Sequence, residues 1–304
     1  MIGIIGCGNV GANTAFFLAE KGVDHVILFD VQDGLAQGKA LDMMEAAPIR
    51  GYRTTIRGTS DPNDILGADI IILTAGSVRQ PGMERDELFR QNRDIVESYA
   101  AKITNPGTKV IIVSEPVDIM TTLFAKKSSL LPSQIMGLGG LLDATRLRYL
   151  IADELKVSME NVAAQVAGRH NDDMILLKEY CCVSGMSLDN FLSDEKVNEI
   201  LEKTKNSGNL IVEMAGRASA YYGPSAVAAE LAEAIIRDTG RVLSVSQMLS
   251  GQFGIEGAAL SLPSIIGRSG IRQVIEPKLT TEEADTLKRS AALITQTIEE
   301  ASHA

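Results

Sequence analysis

Apolar residues in this chain come as short continuous runs separated by amphipathic stretches. Met1–Ile5, Val26–Phe29, Asp69–Thr74 and Lys109–Val113 are rich in isoleucine and valine, the pattern of strands buried on both faces of a parallel sheet. Thr54–Ile56 and Gln134–Leu138 read as further strands, the second closing the sheet. Between them, Ala12–Lys21 keeps Ala15, Phe16, Leu18 and Ala19 at helical spacing. Gly34–Ala47 carries a methionine-bearing apolar side (Leu35, Leu41, Met43, Met44, Ala47) and is expected to stop at Pro48. Strands alternating with helices at this spacing predict an α/β fold, a doubly wound parallel sheet whose functional loops gather at the strand carboxyl ends.

Past Leu141 the rhythm changes. Leu142–Leu155 reads as a helix, Val162–Ala167 and Ile175–Val183 as strands, and helical segments follow near 195–218 and 223–238. Arg241–Met248 and Ala258–Leu262 look like strands, and Thr280–Ala301 like a terminal helix opened by a Thr280/Glu283 capping box. The division predicts a dinucleotide-binding domain over 1–141 and an α+β substrate-binding domain over 142–304.

Composition narrows the partners. With 304 residues, 45% of them hydrophobic and 22% charged, the chain is long enough for two lobes and ordinary for an enzyme. A formal charge of −10, with no long basic run, argues against a nucleic-acid surface. No apolar run reaches the ~20 residues of a membrane span. A first strand starting at residue 1 leaves no room for a leader, and three cysteines without a disulfide framework make a reducing cytoplasm the expected setting. Cys7, Cys181 and Cys182 have no metal-ligand spacing and make a poor disulfide framework, so no metal is expected.

The first strand runs into Gly6-Cys7-Gly8-Asn9-Val10-Gly11 and then into a helix. In that order the glycines permit a tight turn, close backbone approach to a pyrophosphate, and close helix–strand packing, while the helix N-terminus offers N–H groups to the anion. The second strand ends in Asp30, about where the ribose-binding acid of the fingerprint falls, roughly 20 residues on. A carboxylate there accepts from ribose hydroxyls and repels a 2′-phosphate, and Val31-Gln32-Asp33 offers no offsetting arginine. NAD is therefore the expected cofactor.

Three more stretches carry chemistry. The loop after the fourth strand, Thr74 to Arg85, holds Gly76, Pro81 and Gly82 with Arg79 and Arg85 flanking its tip, at the strand end where binding loops belong. Asp143 and Arg146 lie three apart on a helix and share a face. Gln165–Gly168 ends an apolar strand just before His170, one of three histidines in the chain.

In these residues the chain resembles the lactate/malate dehydrogenase family, and within it the lactate-dehydrogenase-like malate dehydrogenase branch. The match runs nearly end to end: the Gly6–Gly11 turn, Asp30, the Arg79-to-Arg85 loop, Pro116-Val117-Asp118, Asp143 with Arg146, and Gly168-x-His170. The resemblance implies a Rossmann sheet binding NAD through Gly6, Gly8, Asn9, Val10, Gly11 and Asp30, with Glu115 among the cofactor-binding residues at the nicotinamide end. It makes His170 the proton donor and acceptor and Asp143 its orienting partner. Arg146 would grip the substrate C1 carboxylate, Arg85 polarise the reacting carbonyl, and Arg79 discriminate a dicarboxylate (malate or oxaloacetate) from lactate or pyruvate. The stretch Gly216–Ser219 would line the substrate pocket, and a homodimer or homotetramer is expected. One position departs: where the family reads Asn-Pro-Val-Asp, beside the nicotinamide ribose and reacting carbonyl, this chain has Glu115-Pro116-Val117-Asp118. The charge there keeps open a relaxed 2-hydroxy-acid dehydrogenase. A dinucleotide-binding sensor without turnover is the remaining alternative, against which the intact His170, Asp143, Arg146 and Arg85 weigh.

Overall fold

A computed structural model describes residues 1–76, 85–170, 173–216 and 219–302, with the side chains of 85–88 and 302 outside the description. Its first half runs β1 (Ile2–Ile5), α1 (Asn9–Lys21), β2 (Val26–Phe29), α2 (Leu35–Arg50), β3 (Ile56–Thr59), β4 (Ile70–Leu73), α3 (Arg85–Lys102), β5 (Lys109–Ile112), α4 (Val117–Lys127) and β6 (Ile135–Gly137). The six strands pair in parallel in the order β3-β2-β1-β4-β5-β6, so the order reverses between β1 and β4. A crevice at that reversal, outside the strand carboxyl ends, is where such sheets hold ligands.

Period-two alternation accounts for the buried runs. In β1, β2, β4 and β5, Ile5, Ile27, Phe29, Ile71, Leu73, Val110 and Ile112 point to one side, into a core shared with α3, α4 and the last helix. Ile2, Ile4, Val26, Leu28, Ile70, Ile72 and Ile111 point to the other, packing against α1, α2 and a helix of the second half. Both faces are covered, which is why these strands carry no polar alternation.

The second half comprises α5 (Gly139–Leu155), β7 (Val162–Ala163), β8 (Val166–Gly168), β9 (Met174–Leu176), β10 (Cys182–Val183), β11 (Met186–Ser187), α6 (Asp194–Ala215), α7 (Tyr222–Ile236), β12 (Arg241–Ser250), β13 (Glu256–Gly267), β14 (Gly270–Val274) and α8 (Thr281–Ser302). Its antiparallel strands continue the parallel sheet through Gly137 of β6 against Ser246 of β12, then β13, β8 and β9, with β14 on β13. The capping box forms at α8: Glu283 N–H donates to Thr280 Oγ1 at 3.2 Å and Thr280 N–H to Glu283 Oε2 at 2.8 Å.

Several boundaries differ from the sequence expectations. Helix α2 passes through Pro48 and ends at Gly51, whose N–H donates to the Ala47 carbonyl. A proline this near the end costs one hydrogen bond, and the left-handed glycine sets the stop instead. β3 lies later than Thr54–Ile56, because register with β2 pairs Val26 with Ile56 and Phe29 with Thr59. Val162–Ala167 is two strands in different sheets, and Ile175–Val183 breaks at a 3₁₀ turn over Lys178–Tyr180. Short apolar runs carry no information about which sheet they join.

Candidate active site

The nucleotide end is built by the turn between β1 and α1. Gly6 has φ +100°, and a Cβ there would meet Ala75 N at 2.8 Å. A Cβ on Gly11 would lie 2.0 Å from the Gly6 carbonyl oxygen, so only glycine allows helix and strand this close. Gly8, by contrast, has nothing within 4 Å of its Cβ position and caps α1 with no side-chain hydrogen bond. Open backbone at a helix N-terminus is where an anion fits. Asn9 and Val10 begin that helix, and the Val10 carbonyl accepts from Ser225 Oγ of α7 at 2.9 Å, tying the turn to the second half.

Asp30, just beyond β2, folds back on the turn. Its Oδ2 accepts from Cys7 N–H at 2.7 Å and its Oδ1 from Gln32 N–H at 3.0 Å. Lys39 of α2 donates to the Cys7 carbonyl. The Cys7 thiol is buried, and burial together with Asp30 pushes its pKa up to about 12, so it is an inert part of the turn. Glycine turn and carboxylate thus sit together, as a dinucleotide with a free 2′-hydroxyl requires.

The other end of the candidate site gathers side chains from the loop after β8, from α5 and from the segment ahead of α4. His170, after β8, is buried, and its Nδ1 lies 2.8 Å from Asp143 Oδ2 on α5. Asp143 is buried too, and its Oδ1 has Arg146 Nη1 at 3.9 Å with no hydrogen-bond donor among the described residues. Arg146, one turn on, has a side chain 14% exposed. Burial lowers the guanidinium pKa from its ordinary value, opposed by Asp143 and Glu115. Burial alone would likewise lower the imidazole pKa, but Asp143, aided by Glu115, raises it to about 9. A buried imidazole oriented by a carboxylate, beside a guanidinium aligned by the same helix, has the parts to exchange a proton with a bound anion.

The backbone of His170 is held by a residue to which the sequence assigned no role. Asp118, on the first turn of α4, is buried; its Oδ2 accepts from His170 N–H at 2.7 Å and its Oδ1 from Ser246 Oγ of β12 at 2.5 Å. The available signal was a lone acid in the apolar stretch Val117–Phe124. Glu115 precedes α4 through a cis bond to Pro116. Its Oε2 accepts from Val117 N–H at 3.1 Å, its Oε1 lies 3.7 Å from His170 Nε2, and its carbonyl accepts from the buried Asn92 Nδ2 at 2.7 Å.

The described site therefore brings together His170, Asp143, Arg146 and Glu115 at one end and Gly6, Gly8, Asn9, Val10, Gly11 and Asp30 at the other. Arg79 lies outside the described residues, as does the side chain of Arg85, whose backbone opens α3. Ser219 is half-buried between α6 and α7, and its neighbours Arg217 and Ala218 lie outside the description. Among the described residues no group of three or more His, Cys, Asp and Glu could hold a metal ion.

Comparison with known proteins covers the whole chain. Residues 1–137 match the family model for the lactate/malate dehydrogenase NAD binding domain, and residues 141–304 that for the lactate/malate dehydrogenase alpha/beta C-terminal domain. The malate dehydrogenase of Methanosarcina mazei is 41% identical over 295 residues, 96% of each chain. That of Bacillus subtilis is 39% identical over 293 residues, 95% of this chain and 94% of the other. The solved malate dehydrogenase of Salinibacter ruber superimposes with a TM-score of 0.93 at 36% identity, covering 99% of this chain and 97% of that one. The Cryptosporidium parvum lactate dehydrogenase, solved with lactic acid and nicotinamide adenine dinucleotide, does so with a TM-score of 0.94 at 31% identity, covering 100% and 98%.

Proposed function

The chain belongs to the lactate/malate dehydrogenase family, and from that premise we propose that it interconverts malate and oxaloacetate with NAD, using His170 for the proton. The observation that carries this reading is the buried His170–Asp143 pair, with Nδ1 and Oδ2 2.8 Å apart, one helical turn from the nearly buried Arg146. Relatives named malate dehydrogenase at about 40% identity over almost the full length support the same activity.

Gly6, Gly8 and Gly11 would hold the cofactor pyrophosphate and Asp30 the adenosine ribose, a reading that the open backbone at Gly8 supports. The cofactor, when bound, would supply the hydride for reduction as NADH and accept it as NAD⁺ in the reverse direction. His170 donates the Nε2 proton to the oxo oxygen as it becomes a hydroxyl, and takes it back during malate oxidation. Asp143 fixes the tautomer from the other side of the ring and stabilises the imidazolium. Arg146 aligns the substrate by gripping its C1 carboxylate through two parallel hydrogen bonds. Arg85 offsets the charge developing on the oxygen, and Arg79 selects a second carboxylate at the far end of the substrate, since a methyl there would leave a guanidinium unpaired.

We assign residues 1–141 and 142–304 to the cofactor and substrate domains and place the protein in the cytoplasm. No helix of the described residues is long and apolar enough to cross a membrane. A homodimer or homotetramer would cover the exposed apolar side chains Leu41 and Ile49 on α2 and Leu210 and Met214 on α6. The test of function is an NADH-oxidation assay with oxaloacetate, pyruvate and longer 2-oxo acids, repeated with NADPH. Oxaloacetate with NADH is expected to give the highest kcat/KM. A preference for pyruvate would replace this reading with the relaxed 2-hydroxy-acid dehydrogenase that the Glu115 carboxylate keeps open, and turnover of none of these acids would leave a binding protein.

A further inference from the structure

His170 has a carboxylate on each side. Asp143 takes Nδ1 at 2.8 Å, while Glu115 Oε1 lies 3.7 Å from Nε2, beyond hydrogen-bond length and inside ion-pair range. Glu115 is fixed at both ends: Val117 N–H at the start of α4 holds its other oxygen at 3.1 Å, and Asn92 holds its carbonyl at 2.7 Å. A carboxylate seated on a helix N-terminus is favourably placed. The Glu115 side chain is 45% exposed and that of His170 7%, so a solvated carboxylate faces a buried imidazole. Nε2 is also the nitrogen that the dehydrogenase reading needs for the substrate oxygen.

We propose that Glu115 is a second carboxylate partner of the catalytic imidazole, a positioning residue that biases the empty site toward the imidazolium and so toward reduction of the 2-oxo acid. Few described charged groups surround the ring. From α5 come Asp143, which favours the proton, and Arg146, which opposes it. From α4, Asp118 accepts the His170 backbone N–H. Arg169 and Asp173, beside His170 in its own loop, pair with each other at 2.6 Å. Glu115 is thus the one described carboxylate facing Nε2. Attraction at this separation, reduced for the exposure of the carboxylate, corresponds to about a tenfold bias, or roughly one pH unit. A carboxylate 3.7 Å from Nε2 also repels an anion approaching that nitrogen, so the Glu115 charge itself works against tight binding of a dicarboxylate.

The test is a titration of the His170 Cε1–H signal by NMR in the full chain without substrate, the signal being identified by its loss in His170→Asn. Glu115→Gln keeps an oxygen for Val117 N–H and removes the charge. Its His170 midpoint should fall by about one unit, with Glu115→Asn showing the same fall should the glutamine variant fold poorly. The alkaline limb of kcat/KM for oxaloacetate reduction should move down equally, and malate oxidation at neutral pH should accelerate up to about tenfold. A His170 midpoint unchanged in a folded charge-neutral variant overturns the proposal. Only the kinetic consequences rest on the dehydrogenase reading: a midpoint that moves in a protein turning over neither acid supports the pairing and removes that reading.

Discussion

Replacing Asp118 with asparagine should stabilise the protein in a pH-dependent way. Asp118 is 3% exposed and accepts hydrogen bonds from His170 N–H and Ser246 Oγ. Burial raises its pKa to about 6, against the lowering effects of those two bonds. An ordinary aspartate titrates near 3.9, so holding the ionised form in the fold costs roughly 3 kcal/mol. Because the folded-state pKa is the higher one, its contribution is fully present below about pH 4 and lost as pH rises through about 6. The carboxamide of Asp118→Asn would not titrate. Its oxygen can still accept from His170, and its amide can donate to Ser246, whose hydroxyl serves in either role. Urea unfolding of both proteins at pH 5 and pH 8 reads the effect: the asparagine variant should gain about 1.4 kcal/mol over the parent between the two. A difference in stability that is the same at both pH values would refute the account of Asp118 as a buried group carrying charge at neutral pH.

Gly11→Ala should abolish NADH binding measured by fluorescence, since its Cβ would lie 2.0 Å from the Gly6 carbonyl oxygen; retention of affinity within a few-fold would contradict the close-packing argument. Asp143→Asn should lower kcat by about 10²–10⁴ while leaving NADH affinity intact, because the imidazole loses the carboxylate that fixes its tautomer. Arg146→Gln should raise the KM for oxaloacetate at least about thirtyfold, since removing one partner of a buried hydrogen-bonded charge pair costs about 2–5 kcal/mol. A change in kcat alone would move Arg146 from substrate anchoring to another role.

Much of the fold was legible because it is local. The strands Ile2–Ile5, Val26–Phe29, Ile70–Leu73 and Lys109–Ile112 are continuous apolar runs, and both their faces are buried. Gly6, Gly11 and Asp30 were readable for the same reason: each is required by the backbone or charge pattern within one β-α-β unit. Asp143 and Arg146 share a face by helical spacing alone. Asp118 was a motif without a task, because its partners are 52 and 128 residues away and nothing near it announces them. β14 was missed, since Gly270–Val274 has a mixed pattern and owes its pairing to β13. The orientation of Glu115 toward Nε2 likewise depends on how the β8 end meets the start of α4, a tertiary fact with no local signature.

Ser246 stands where the two halves of the chain join: its backbone pairs with Gly137, and its hydroxyl holds the carboxylate that holds His170. Nearby, Gly140 N–H donates to Ser261 Oγ at 2.9 Å and Ala259 N–H to Thr122 Oγ1 at 2.8 Å, crossing the same junction. A chimera spliced near residue 141 from two homologous parents would therefore be cut through the contacts that hold His170. To work, it would have to inherit the Asp118–Ser246 couple as a matched pair, whichever parent supplied the loops.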